Sequence, residues 1–181
     1  PRHASSMLFK SRPLETNLAN RFRPSGDVFA FRKEGDIYVA EIRAGAERAV
    51  DLFAQLVEEM PAMVNLSLEC LRSEREFVGE KLQLSEVRET IARLKAPLVA
   101  SGGVEISVHT ADEQVALSAM LDSWIFARSD RWLYLLMGQG LEERAELPER
   151  GWSMAREDFT GAPELVEAVT KAAERLTLAL V

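Results

Sequence analysis

The sequence predicts an α+β fold, an antiparallel sheet with helices packed against it. Two patterns carry that expectation. Some segments alternate apolar and polar residues with the period of two of a half-buried strand. Others repeat apolar residues at the three- and four-residue spacing of an amphipathic helix. Between residues 37 and 110 these segments follow one another as β-α-β-β-α-β, the split order of the ferredoxin-like fold. A β-meander and a long C-terminal helix are expected to extend it.

The elements follow in order. Residues 1–27 are polar and broken by Pro13, Pro24 and Gly26, which predicts an N-terminal arm with a helical turn near 14–22. The six residues before Met7 read as a remnant of an expression vector. Residues 28–181 are expected to form one α+β domain. Residues 28–31 and 37–42 are β-rich around Lys33-Glu34-Gly35-Asp36, a hairpin signal. Residues 46–60 carry an apolar stripe through Ala49, Val50, Phe53, Leu56, Val57 and Met60, and Pro61 stops that helix. Residues 63–71 alternate, with Val64, Leu66, Leu68 and Cys70 on one face and Asn65, Ser67 and Glu69 on the other. Residues 77–84 return as a second strand. Ser85 is expected to cap a helix whose stripe is Val87, Ile91, Leu94 and Leu98, with Pro97 bending or ending it. Val104, Ile106 and Val108 then alternate with Glu105, Ser107 and His109.

Residues 114–120 and 124–127 continue as strands. Residues 132–137 fit either a strand or a short helix that starts near Ser129 and stops at Gly138. The final helix is expected from Pro163, with Leu165, Val166, Val169, Leu176 and Leu180 buried.

Composition narrows the function classes. A chain of 181 residues with 47% hydrophobic and 28% charged residues suits one globular domain. Its one cysteine, Cys70, allows no internal disulfide and fits a reducing, bacterial-type cytoplasm. The net charge of −7 argues against nucleic-acid binding by the main domain, and no apolar run is long enough for a membrane span. Charge is uneven. Residues 1–33 hold seven basic and two acidic residues, a net +5 that leaves −12 for the rest.

Chemistry-bearing clusters are few. With Cys70 and His109 as the soft ligands of the native chain, no metal site is expected. Glu142, Glu143, Glu146 and Glu149 are interleaved with Arg144 and Arg150, as on a self-compensating surface loop. Ser101-Gly102-Gly103 and Gly138-Gln139-Gly140 lack the strand-loop-helix setting of a phosphate loop and read as turns. No other cofactor motif occurs. His109 ends a strand, and histidine is the side chain most often used as a general base, yet it has no partner close in sequence.

The segment Arg128, Ser129, Asp130, Arg131, Trp132 is the densest polar-aromatic cluster, and arginine and tryptophan anchor interfaces more often than other residues. These features lead to a non-enzymatic interaction or regulatory domain that binds a protein partner or self-associates, with Arg128, Asp130, Arg131 and Trp132 as contact candidates. One alternative is a small-molecule binding domain or enzyme. Its pocket would lie between the meander and the C-terminal helix, lined by Trp124, Phe126, Trp132 and Tyr134, with His109 as a further candidate. Another is an acidic protein that neutralises a toxin or effector.

Overall fold

The computed structural model describes residues 27–149 and 153–181. The arm expected over residues 1–27, apart from Asp27, lies outside that range. The described strands join one sheet of nine, antiparallel at every pairing except one. Strands β1 (Val28–Glu34) and β2 (Ile37–Arg43) form a hairpin in which Glu34 faces Ile37. The two-residue turn takes Gly35 to φ +62°, a region open to glycine without Cβ cost.

Helix α1 (Ala46–Val57) buries the stripe read from its spacing, and Met60 and Pro61 follow it. Strands β3 (Met63–Cys70) and β4 (Arg75–Gln83) form a second hairpin, kinked by an irregular register between Val64 and Leu66. Helix α2 (Leu84–Ser101) starts after Gln83, so Ser85 lies inside its first turn and is not the cap. It also runs through Pro97 and ends where Gly102 takes φ +58°. Strands β5 (Val104–His109), β6 (Glu113–Leu117) and β7 (Ser123–Ala127) are the meander. Residues 131–138 are helix α3, which settles the strand-or-helix ambiguity of that run. A two-residue strand β8 (Glu142–Glu143), a 3₁₀ turn (Arg156–Asp158), helix α4 (Pro163–Arg175) and strand β9 (Ala179–Leu180) complete the chain.

Two expectations are corrected. The β-α-β-β-α-β succession is present along the chain, but the sheet order β8-β1-β2-β7-β6-β5-β3-β4-β9 is not that of the split fold. There β4 would separate β2 from β3. Here β4 lies outside β3, and β5, β6 and β7 fill the gap, because the meander carries the chain back from β3 to β2. The C-terminal helix is also short. It stops at Arg175, Thr177 takes φ +53°, and the chain pairs with the edge of β4 as β9, leaving Leu180 60% exposed.

One face of the sheet holds the core. Leu66, Leu68, Ile106, Val108, Val115 and Ile125 form one buried cluster with apolar residues from all four α-helices. Trp132 and Leu136 bring α3 into it. The four α-helices join the cluster on this face, and through Arg156 the 3₁₀ turn reaches the opposite face. Its central strands end their outward side chains in Ser67, Glu69, Glu105, Ser107, Gln114, Ala116, Trp124 and Phe126.

Candidate functional site

Cross-strand register sets the second face in rows. Ser67 on β3 faces Ser107 on β5, Ser107 faces Ala116 on β6, and Ala116 faces Trp124 on β7. Three consecutive central strands therefore present small side chains side by side. One row over, Glu76, Glu69 and Glu105 face one another across β4, β3 and β5. On the other side run Asn65, His109, Gln114 and Phe126. A trough of small residues between taller rows is the origin of a cleft of about 410 Å³, lined among others by Ser67, Ser107, Ala116, Trp124, Phe126 and the three glutamates. That volume lies within the usual range of ligand sites.

The aromatic wall is a pair of parallel rings. The rings of Trp124 and Phe126 lie 6.1 Å apart and within 5° of parallel. They are successive outward positions of one strand, while Ser123, Ile125 and Ala127 turn into the core. Polar contacts order the floor. Gln114 Nε2 donates to Ser107 Oγ at 2.8 Å, and Ser107 Oγ lies 3.4 Å from His109 Nδ1. Ser67 Oγ donates to Glu76 Oε2 at 3.2 Å.

The acidic row is held at a cost. Glu69 and Glu105 are like charges in directly opposed cross-strand positions, an unfavourable pairing. Loss of water around Glu105, and then the charge of Glu69, push its carboxyl above the ordinary carboxylate range, against the Ala119 N–H and Arg156, which pull it down. Arg156, in the 3₁₀ turn, donates to Glu69 Oε2 and relieves part of the repulsion. The turn is anchored next to Arg156 by Phe159, which is buried with Leu71 and Ala119.

The residues singled out from the sequence fall in three places. Trp124 and Phe126 line the cleft, and His109 stands beside it in a smaller depression with Thr110, Asp112 and Arg128. Trp132 is fully buried in the core, with its indole N–H donated to Glu113 Oε2. Arg131 packs over the Trp132 ring at 4.4 Å and donates to both oxygens of Glu113. Arg128 is an exposed partner of Asp112, and Asp130 is the residue preceding α3. Tyr134 is 65% exposed on α3. The four residues expected to line one pocket are thus divided between two faces. The C-terminal helix lies on the core side, away from Trp124 and Phe126.

The glutamate row and the serine-alanine trough are missed as a site by the sequence reading. Alternation places each residue on its face, but only the register of strands far apart in sequence puts them together. Cys70 is a free thiol fully buried among apolar neighbours. No cluster of histidine, cysteine and carboxylate groups able to hold a metal ion occurs among the described residues, and no helix there is long and apolar enough to cross a membrane.

Compared with known proteins, the chain matches no family model, and no curated protein or solved structure is significantly similar to it.

Proposed function

We propose that this chain is a non-enzymatic binding domain that engages a partner protein through the second face of its sheet. The observation that carries the reading is the parallel Trp124–Phe126 pair beside the small-residue trough. Aromatic side chains give large contact area at low entropy cost, and here they stand outside the core cluster. Catalysis is the weaker reading of the same residues. Ser107 and His109 approach at 3.4 Å, but a serine nucleophile also needs donors for the developing oxyanion. The backbone donors beside Ser107 belong to a strand paired on both sides.

Charge favours a different protein over a second copy. A two-fold dimer sets the same patch against itself, which would bring Glu69, Glu76 and Glu105 toward their own equivalents.

The test is to fill the trough. Ala116→Trp places a large ring on an outward position of β6 without touching the core face. A partner that co-purifies with the parent chain should be lost with Ala116→Trp and kept with Arg128→Ala, at unchanged melting temperature. Retention by Ala116→Trp would refute the assignment of the face.

A further inference from the structure

We infer that the cleft binds an arginine side chain presented by an extended peptide segment of the partner, with the guanidinium between the glutamate row and the Trp124–Phe126 wall. The inference rests on the binding-face reading above and adds the chemistry of the ligand.

Three independent features converge. The first is shape. The trough of Ser67, Ser107 and Ala116 runs across three strands and leaves room for one side chain. The second is the aromatic wall, a pair of parallel rings. A planar guanidinium stacks on an aromatic face and draws on its quadrupole, and it loses less hydration than an ammonium does. The third is charge. Glu69, Glu76 and Glu105 all line the cleft, and a planar fork of donors matches carboxylates in two-point contacts.

The chain already makes half of this contact with itself. Arg156 brings a guanidinium to Glu69 from the 3₁₀ turn. Arg156 does not line the cleft, and it is one cation against the three carboxylates of the row. An incoming arginine would add a second positive charge, and it would compete with Arg156 for Glu69.

That competition provides the decisive experiment. The isotopically labelled full chain is titrated with an acetylated and amidated Ala-Arg-Ala peptide, and amide shifts are followed by NMR. Saturable shifts are expected at Ser67, Ser107, Ala116 and Trp124. The same peptide with citrulline, neutral but of equal shape, should give none, and Ala-Lys-Ala should bind several-fold more weakly. Glu105→Gln should weaken binding by about tenfold, the scale of one lost charge-assisted contact. Arg156→Ala removes an exposed side chain and should tighten binding, an effect that misfolding cannot imitate. Equal binding of the citrulline or lysine peptide would overturn the assignment, and so would indifference to both substitutions. If the peptides fail while a partner is still lost with Ala116→Trp, the face stands and the arginine falls. If that partner persists, the face itself is wrong.

Discussion

The indole N–H of Trp132 donates to Glu113 Oε2 at 3.0 Å, while Arg131 Nη2 approaches both oxygens of the same carboxylate at 3.0 and 3.2 Å. Arg131 Nη2 also reaches the Glu59 carbonyl beyond α1 at 2.9 Å. The Glu113 carboxylate, its side chain only 13% exposed, thus ties the first turn of α3 to β6, and Arg131 ties that turn to the end of α1. Removing it would leave a buried indole donor unpaired. Glu113→Ala should lower stability by about 1–3 kcal/mol, the cost of an unsatisfied buried group. Chemical denaturation would measure it. Glu113→Gln, which keeps an acceptor, should lose less.

The two arginines of this segment should separate. Arg128 pairs with Asp112 at 3.5 Å with both side chains more than 60% exposed, so Arg128→Ala should stay within about 0.5 kcal/mol of the parent. Arg131→Ala should cost clearly more, because Arg131 bridges Glu113 and Glu59. Equal effects in parallel melts would mean that the Glu113 contacts carry no weight.

Arg72 is a second structural node. Its guanidinium donates to the carbonyls of Ser101, Gly102 and Thr160 and lies over the Phe159 ring at 5.4 Å. Burial lowers its pKa from the ordinary arginine value. Two of these bonds pair the Ser101 and Gly102 carbonyls at the end of α2, where the helix has no further turn to pair them. Arg72→Lys should lose about 1–3 kcal/mol despite keeping the charge, because the three carbonyls are met by three different nitrogens of the guanidinium, a span that the compact ammonium does not have. Gly103→Ala should be comparably damaging. Gly103 sits at φ +88°, and an added Cβ would lie 2.7 Å from Arg72 Nε. A stable Gly103→Ala variant would contradict the close packing of Arg72 there.

The raised carboxyl of Glu105 fixes the sign of a pH effect. Burial raises it first and Glu69 second, while the Ala119 N–H and Arg156 lower it. Folding favours the protonated form, so this residue contributes stability below its unfolded pKa of about 4.3 and loses it as pH rises through the higher folded value. Glu105→Gln should therefore be more stable than the parent at neutral pH, and the gain should vanish as pH falls below about 4. Denaturation midpoints at a series of pH values test this. A gain that stays constant with pH would rule out ionisation of Glu105 as its cause.

The sequence by itself determined most of the longer local elements, because each of these follows from a pattern within its own window. The α1 stripe is fixed by spacing and by Pro61. The faces of β3 and β5 are fixed by alternation, and Cys70 is buried because it falls in phase with Leu66 and Leu68. What only the tertiary structure decided is which strands are neighbours. Residues 132–137 carry too short an apolar run to choose a period, and they became helical where Trp132 and Leu136 could both enter the core. Leu180 matches a helical stripe, yet the chain left the helix at Arg175 and paired with β4. The cleft belongs to the same class. Ser67, Ser107, Ala116 and Trp124 are separated by up to dozens of residues, and a period-two pattern says which face each takes but not which residue stands opposite. That choice is made by hydrogen-bond register between strands, a long-range property of the whole sheet.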